Sequence, residues 1–509
     1  MTPTPAPIVS PAADGAGRRH RRHRSSRFTW SPRRVSTLHA SRGRHVPAAL
    51  VACAAAAALG VAGCAPGGGQ ADAEGERTAA PDAASSDIAV ASGGEAVTNG
   101  AAMGEVELIL WDQEVREGQA SQFTTLVTEF EEAYPNISIT RVEQSFEDLS
   151  TTLALALTDP NPPDIVQANN ARNDMGAFVG AGQLLPLDSY AATYGWTERY
   201  PDTVLKNSRY SPDGAVFGDG SLYGLPQVGE VVGVFYNKAK LSSLGVDVPA
   251  TWDEFTAALD AAKAAGETPL MLGDVEGWPA VHVLGPIQGA LVPPDEATAL
   301  GMGNPGADWT TPENVAAAEQ LAEWATGGYF NEGFLGGDYD AVVEEFASGT
   351  GVFLMAGSWV GAVIDEAMGD GAGFFAPPPV TEGAPKATTG GTSLPFSITS
   401  GSAHPDAAAL FIDFITNDHA MEVLAETGNL PILRTAELAP AQGVWADVYA
   451  AFQDVSDNGY LLPYLDWATP TFGDEVLKPG LQDLMAGQTT PAEFCAALQA
   501  DYAAFTSGD

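Results

Sequence analysis

The chain from residue 106 onward alternates short β-rich runs with longer segments whose apolar residues recur at helical spacing. The first five segments are a strand at 106–111, a helix at 122–134, a strand at 137–144, a helix at 149–157 and a strand at 164–167. Pro135 ends the first helix, because proline cannot donate a backbone hydrogen bond. Strands that alternate with helices in this way predict an α/β fold with a parallel sheet covered by helices on both faces.

The carboxyl ends of these strands carry the first candidate ligand-binding residues, because ligands of parallel sheets bind beyond the carboxyl ends of the strands. The residues that this rule brings to one rim are Trp111, Asp112, Gln144, Asn169 and Asn170, and Glu114 follows shortly after the first strand. The alternative for each acid is a solvated surface position. The alternative for the two asparagines is a role in shaping a turn.

An apolar run, VPAALVACAAAAALGVAGC at 46–64, follows Arg42 and Arg44 and ends in small residues before Cys64. It is shorter than the roughly 20 residues of a membrane span and rich in weakly apolar alanine. It resembles the bacterial lipobox, in which the cysteine thiolate accepts a diacylglycerol before the signal peptide is cleaved. We therefore predict a lipoprotein signal peptide at 1–63 and a lipid on Cys64, with a membrane-spanning helix as the alternative.

The basic stretch before the apolar run leaves the export route open. Arg33 and Arg34 could belong to a twin-arginine signal, although the pair lacks the expected hydrophobic follower. The alternative is that translation starts at Val35, which would leave a signal of ordinary length.

The segment after Cys64 predicts a flexible spacer in front of a large body. Residues 65–103 are Ala, Gly, Ser, Pro and acids without apolar periodicity, so a disordered tether is expected. The roughly 400 residues that follow exceed the usual size of a single hydrophobic core. Two domains or lobes are therefore expected.

Removal of residues 1–63 would make the chain strongly acidic. That segment holds ten of the 23 Lys and Arg residues but only one of the 65 acids, so the remaining chain would carry a net charge near −51. Such a charge argues against nucleic acid or an anionic membrane face as a partner. The simpler interpretation of the charge is solubility outside the cell.

Cysteine and histidine usage argues against several classes of protein. Cys53 would be lost with the signal, so Cys495 has no disulfide partner and is expected in the core. The three histidines that remain are unclustered: His282, His404 and His419. A histidine-built metal site or a Ser/His/Asp hydrolase is therefore not expected, and no cofactor is predicted.

Six segments between residues 128 and 433 together carry a family resemblance. They are 128–190 (with EFEEAYPNISIT, PPDIVQAN and GQLLPLDSY), SLYGLPQ at 221–227, GVFYNKAKLSSLGVDVPATWDEF at 233–255, EEFASGTGVFLMAGSW at 344–359, ATTGGTSLPFSITSGSAHPDAAALFIDFIT at 387–416 and ETGNLPIL at 426–433. In this order they resemble the extracellular sugar-binding proteins of ATP-driven importers, the family that includes maltose-binding protein. The resemblance spans most of residues 104–500.

The resemblance implies a two-lobed periplasmic-binding-protein fold, in which each lobe is a sheet flanked by helices and a hinge of three crossovers joins the lobes. The crossovers are expected near 226–232, 375–385 and 432–440. Thr251, three residues before Glu254, is expected to cap a helix. The predicted domains are the tether at 64–103, a first lobe of 104–230 and 381–435, and a second lobe of 231–380 and 436–509.

The resemblance also implies a sugar site between the lobes. Sugars present hydroxyls at their edges and weakly polarised C–H faces, so such a site combines aromatic plates with fixed carboxylates and amides. Trp359, in AGSW, is similar to the tryptophan that stacks on a sugar ring in this family, with a core tryptophan as the alternative. The further candidates are Glu230, Trp278, Gly391 and Thr392 in GGTS, and Asp466 and Trp467 in LDWATP.

We therefore expect an extracytoplasmic, lipid-anchored receptor, not an enzyme, that captures an oligosaccharide by closing its lobes around it. The implied partners are ABC permease subunits with a cytosolic ATPase, and the receptor is expected to be a monomer. A secreted glycoside hydrolase stays open, because it would also use carboxylates and tryptophans. A binder of polyamines, metal ions or amino acids also stays open. No arginine is among the candidates, and amino-acid capture would favour one, so a neutral sugar is preferred.

Overall fold

The computed structural model describes residues 96–507, and the predicted signal peptide and Cys64 lie outside the described residues. Strands and helices alternate through the first part of the chain, as the hydrophobic pattern predicts. The strands are β1 Val106–Asp112, β2 Ile137–Glu143, β3 Ile165–Gln167, β4 Arg209–Tyr210, β5 Ser221–Leu222, β6 Gly229–Asn237, β7 Leu270–Met271, β8 Phe353–Gly357, β9 Ala372–Phe375, β10 Ala387–Thr392, β11 Phe396–Ile398 and β12 Tyr460–Leu462.

Helices cover the sheets and connect the strands. They are α1 Glu117–Ala133, α2 Phe146–Ala156, α3 Ala177–Gly180, α4 Asp188–Tyr194, α5 Trp196–Arg199, α6 Asp202–Leu205, α7 Lys238–Leu244, α8 Trp252–Ala264, α9 Val281–Leu291, α10 Pro294–Gly301, α11 Pro312–Gly327, α12 Tyr339–Ala347, α13 Gly361–Met368, α14 Pro405–Ile415, α15 Asp418–Glu426, α16 Thr435–Leu438, α17 Val444–Asn458, α18 Lys478–Met485 and α19 Pro491–Ser507. Within residues 96–507, no helix is both long enough and apolar enough to cross a membrane.

The first sheet has the strand order β11-β3-β1-β2. β1 runs parallel to β2 and to β3, whereas β11 runs antiparallel to β3. Leu108 and Leu110 of β1 are fully buried and belong to the same core cluster as Phe123 and Phe411. The parallel strands therefore end at one edge, where antiparallel β11 begins.

The second sheet has the order β12-β10-β6-β8-β7, and β9 also pairs with β6. All nine residues of β6 are buried, as expected of a central strand. β8 and β10 run antiparallel to β6, while β7 is parallel to β8 and β12 is parallel to β10. β9 is also antiparallel to β6, so the other five strands of this sheet all run toward the edge where β6 begins.

The chain passes between the sheets at three places, as predicted, but one crossing lies elsewhere. β10 pairs with β6, with Gly391 opposite Glu230, and this pairing keeps residues 387–392 in the second sheet. The return to the first sheet therefore runs through 393–395, and the predicted crossing at 375–385 with a boundary at residue 381 is corrected. The other two crossings precede β6 and follow α15.

Two local predictions can be compared with the structure. The Thr251 hydroxyl accepts the Glu254 N–H at 3.2 Å, and the Glu254 carboxylate accepts the Ala250 N–H at 2.8 Å, so the predicted capping box of α8 is confirmed. The predicted tether, by contrast, does not extend to residue 103. The Asn136 amide donates to the Gly100 carbonyl at 2.9 Å, and Gly100 approaches the Tyr134 ring so closely that a Cβ there would clash.

Candidate ligand-binding site

A cavity lies between the two sheets, at the edge where their strands converge. Gln113, Phe146 and Asn169 follow β1, β2 and β3, and Trp278, Trp359 and Tyr464 follow β7, β8 and β12. The complete lining is Gln113, Arg116, Gln119, Phe146, Ser150, Asn169, Asn173, Asp174, Glu230, Trp278, Val281, His282, Trp359, Leu394, Tyr464, Asp466, Trp467, Gly473, Asp474 and Lys478. Ligands of α/β folds bind at such an edge.

The second sheet supplies an aromatic wall, which we define as Trp278, His282, Trp359, Tyr464 and Trp467. The His282 ring lies 5.0 Å from the Trp359 ring and 5.4 Å from the Tyr464 ring, and Trp278 is 6.5 Å from Trp359. The Trp359 indole donates to the Tyr339 hydroxyl at 2.9 Å, which fixes its plane. Trp278 and Trp359 are only half-buried, so their rings remain available to a ligand.

The first sheet supplies an amide wall, which we define as Gln113, Gln119, Asn169 and Asn173. The Gln113 N–H donates to the Gln167 side chain at 2.8 Å, and the Gln167 amide donates to Glu114 at 2.7 Å. These bonds hold the turn that carries Gln113. Gln119 is 4% exposed, and its side-chain oxygen finds no hydrogen-bond partner within residues 96–507. A buried amide oxygen without a partner is costly, and the Gln119 residue lines the cavity.

Carboxyl groups line the cavity between these walls. The Tyr464 hydroxyl donates to Glu230 at 2.8 Å, and burial raises the pKa of Glu230 to about 7. The Asn169 amide donates to Asp174 at 3.1 Å, and burial raises the pKa of Asp174 to about 7 as well. Burial also raises the pKa of Asp466 and lowers that of His282 to about 3, so the imidazole is neutral. The cavity is therefore lined by carboxyl groups whose ionised form burial disfavours.

Two segments of π-helix face each other beside the cavity, Arg172–Gly176 and Phe472–Leu477. The Asn173 amide donates to Asp474 at 2.9 Å and so joins the two segments. Arg116 and Asp340 form a second bridge at 2.9 Å, and the Phe146 ring lies 5.8 Å from the Trp278 ring. Because π-helical turns are rare and frequent at functional sites, their presence supports a binding role for this edge.

Six of the thirteen predicted ligand-binding residues line the cavity: Asn169, Glu230, Trp278, Trp359, Asp466 and Trp467. Trp467 is only 2% exposed and packs against Phe217 and Tyr464, so it offers little of its face. The other seven lie outside the lining: Trp111, Asp112, Glu114, Gln144, Asn170, Gly391 and Thr392.

The structure gives several of these seven residues other partners. Asp112 is fully buried and takes a bidentate contact from Arg141, at 2.6 and 2.9 Å, so we reassign it as structural. Burial raises the pKa of Glu114, which accepts from Gln167, to about 7. Gln144 accepts from Thr152 at 2.8 Å, and the Asn170 amide donates to the Asn207 carbonyl.

The remaining three candidates also lie behind the cavity or in the second sheet. Trp111 is half-buried and packs against a core cluster that contains Leu149. Gly391 and Thr392 pair with β6 in the second sheet, with Gly391 at φ +140°. Their prediction as ligand-binding residues is corrected, because their backbone belongs to the sheet and neither lines the cavity.

Sequence reasoning missed most of the amide wall and part of the aromatic wall. Gln113 lies between Asp112 and Glu114, which were predicted as ligand-binding residues in its place. The alternation of side-chain direction along the turn is the only sequence signal that could have identified Gln113. Arg116 lines the cavity, although no arginine was among the candidates. His282 was regarded as unclustered, because sequence distance hides its neighbours. Within residues 96–507, no group of three His, Cys, Asp or Glu side chains could hold a metal ion.

Two sheets with helices on their faces, three connections and a cavity at the shared strand edge define a two-lobed binding protein. A family model described as "Bacterial extracellular solute-binding protein" matches residues 115–422, which is more than half of the chain. The chain belongs to this family of bacterial extracellular solute-binding proteins.

Known proteins agree with this assignment. The chain is 23% identical over 316 residues to a "Multiple sugar-binding protein" of Streptococcus mutans serotype c, covering 60% of this chain and 70% of that one. It is 33% identical over 124 residues to a "Probable sugar-binding periplasmic protein" of Rhizobium meliloti, covering 24% and 28%.

A solved "Chitin oligosaccharide binding protein" shares the fold, with a TM-score of 0.67, 24% identity and coverage of 79% of this chain and 100% of that chain. A solute-binding protein in complex with raffinose gives a TM-score of 0.58 and 20% identity, with 79% of this chain and 99% of that one covered. These similarities confirm the predicted α/β two-lobed fold.

Proposed function

We propose that the chain is a membrane-anchored receptor that binds a carbohydrate between its two lobes and delivers it to an ABC-type permease. The observation that carries the proposal is the pairing of an aromatic wall with an amide wall across one cavity. Half-buried Trp278 and Trp359 suit the C–H faces of a sugar ring, and Gln113 and Gln119 suit its hydroxyls. Relatives named as sugar-binding proteins support the same ligand class.

The ligand contacts that we propose follow from the lining. Trp278 and Trp359 stack on sugar rings, and Gln113, Gln119 and Glu230 bond their hydroxyls. Asn169, Asp466 and the edge of Trp467 complete the site. Because two tryptophan rings are available for stacking, an oligosaccharide is the favoured ligand.

Closure of the lobes is the proposed signal to the permease. The two walls stand on different sheets, so a saccharide contacts both only when the lobes are together. The connections before β6, at 393–395 and after α15 would then form the hinge. The ion pair between Arg116 and Asp340 joins the two lobes in this arrangement.

The anchoring part of the proposal rests on the lipobox-like run before Cys64. Expression of the full chain in a lipoprotein-processing bacterium should place the protein in the membrane fraction with a diacylglycerol on Cys64. The Cys64→Ser variant should be released or retained unprocessed. Wild-type protein without lipid would contradict anchoring and leave sugar binding unaffected.

Thermal unfolding against a ligand panel tests the binding part of the proposal. The mature chain from residue 64, carrying Cys64→Ser, is heated with mono- and oligosaccharides, amino acids and polyamines. A ligand bound only by the folded state raises the midpoint by mass action. We expect a rise with one class of oligosaccharide and recovery of the sugar intact.

The outcomes separate the alternatives. Cleavage of the sugar during the assay would support a glycoside hydrolase instead. A shift with polyamines or amino acids, and none with sugars, would overturn the carbohydrate assignment while keeping the family.

A further inference from the structure

The charges that line the cavity are unbalanced toward acid. Both cationic side chains of the lining are already engaged by carboxylates. Arg116 contacts Asp340 at 2.9 Å, and Lys478 contacts Asp474 at 2.7 Å. Neither cation is therefore free to receive a negatively charged ligand.

Three further carboxyl groups of the lining have neutral partners only. Asp174 accepts from the Asn169 amide, and Glu230 accepts from the Tyr464 hydroxyl. Within residues 96–507, no Lys, Arg or His nitrogen lies within ion-pair distance of Asp174, Glu230 or Asp466. Arg116 and Lys478 act on these carboxyls only from a greater distance.

Glu230 is buried, and Asp174 and Asp466 are half-buried, and the loss of hydration without a contacting counter-charge is unfavourable for their ionised forms. Desolvation raises the pKa of Asp174 and of Glu230 to about 7, and it also raises that of Asp466. A buried carboxylate is stabilised when a cation or several hydrogen-bond donors reach it. The aromatic wall acts in the same sense, since the faces of tryptophan and tyrosine rings attract cations.

We propose that the solute of this cavity is a saccharide that carries a protonated amine, which the carboxylates of Asp174, Glu230 and Asp466 receive beside the aromatic wall. The proposal rests on the carbohydrate-binding function proposed above and narrows its ligand class. An amine on a sugar ring supplies the missing positive charge and up to three hydrogen-bond donors.

The amide wall distinguishes an amino sugar from a simple polyamine. The Gln119 side chain is 4% exposed, lines the cavity and leaves its oxygen without a partner within residues 96–507. Gln113 is 5% exposed and lines the same side. Such amides both donate and accept, which matches the hydroxyls of a sugar ring, whereas a polyamine offers donors separated by apolar methylenes.

Isothermal titration with three matched β-1,4-linked oligosaccharide series tests the proposal. The series are oligomers of glucose, of N-acetylglucosamine and of glucosamine, which differ in the substituent at C2, and spermidine is added as a fourth probe. The protein is the mature chain with Cys64→Ser. We expect the glucosamine oligomers to bind at least tenfold more tightly than the two uncharged series and than spermidine.

Carboxamide variants identify the groups responsible. Asp466→Asn and Asp174→Asn should each weaken binding of the glucosamine series about tenfold more than binding of the uncharged series. Glu344→Gln, an exposed acid of α12 outside the lining, is the matched control and should change neither.

Each contrary result has its own meaning. Equal or tighter binding of an uncharged series would overturn the amine assignment and leave carbohydrate binding standing. Binding of spermidine without any saccharide would overturn both proposals, whereas the absence of binding by every probe would overturn the amine assignment alone. A preference that survives Asp466→Asn and Asp174→Asn together would remove these carboxylates as its source.

Discussion

The two walls of the cavity differ in chemistry although each follows the strand ends of a sheet. The first sheet contributes amides, with Gln113, Gln119 and Asn169 facing the cavity. The second contributes rings, with Trp278 and Trp359 half-exposed. The C–H face and the hydroxyl-bearing edge of a sugar ring point in different directions. One lobe alone can therefore contact only the face or only the edge of the sugar.

This division explains why a two-lobed receptor can couple ligand capture to shape. A ligand that contacts one wall gains only part of the available binding free energy and does not favour closure of the lobes. A ligand that contacts both walls gains more binding free energy, and it can do so only in the closed form. The ligand therefore binds the closed form more tightly than the open form. The difference in affinity between the two forms limits how far the ligand can shift the equilibrium.

The largest expected effect comes from the aromatic wall. Trp359→Ala removes a ring that is half-buried and held by Tyr339, and it should weaken ligand binding by about 2 kcal/mol, roughly thirtyfold. Titration calorimetry measures the change. Trp324→Phe is the control, because Trp324 is 2% exposed in the second-lobe core and does not line the cavity. Unchanged affinity in folded Trp359→Ala would remove the ring from the site.

The carboxyl between the walls should make stability depend on pH. Desolvation raises the pKa of Glu230 from 4.5 to about 7, so the folded chain holds this proton to higher pH than the unfolded chain. The free energy of unfolding should therefore fall as pH rises from about 4.5 to about 7, with Glu230 contributing about 2 kcal/mol of the fall. Urea unfolding of the wild type and Glu230→Gln at pH 5 and pH 8 measures the difference, and parallel curves would contradict it.

The contact between Asp112 and Arg141, which supports the amide wall, should affect the stability of the fold and not the affinity for the ligand. Asp112→Asn weakens a buried bidentate contact with Arg141, and it should lower the free energy of unfolding by about 2 kcal/mol. Glu143→Gln is the matched control, because Glu143 contacts the same Arg141 at 2.8 Å but is half-exposed, and it should cost less than about 1 kcal/mol. Equal effects of the two substitutions in urea unfolding would contradict this distinction.

The smallest expected effect is also the most specific to the amide wall. Gln119→Leu removes a buried oxygen that has no partner within residues 96–507, so stability should rise by about 1 kcal/mol while ligand affinity falls. Gln122→Leu is the control, because Gln122 is fully buried nearby but does not line the cavity. Loss of stability without loss of affinity in Gln119→Leu would make Gln119 structural.

The architecture could be predicted from sequence because it follows periodic patterns. β1 at Val106–Asp112 and β2 at Ile137–Glu143 fall where apolar residues indicate strands, and the Thr251 cap follows from local chemistry. The return crossing at 393–395 could not be predicted in this way. It depends on which distant strand pairs with β10, and sequence position does not record that pairing.

The ligand-binding site could be predicted only in part. Half-buried Trp278 and Trp359 were predicted because their segments resemble the sugar-binding family, in which tryptophans stack on sugar rings. The prediction that Asp112 binds the ligand was wrong, because Asp112 forms an ion pair with Arg141 and its neighbour Gln113 faces the cavity. Which side of a turn faces inward is set by bonds such as that from the Gln113 N–H to Gln167, across 54 residues.

A crystal structure of the mature chain with its tightest-binding oligosaccharide tests the central claim most directly. The two-wall arrangement predicts a sugar ring stacked on Trp278 or Trp359, with hydroxyls within hydrogen-bond distance of Gln113 or Gln119. A saccharide that contacts only one wall, or that lies outside the cavity, would contradict it.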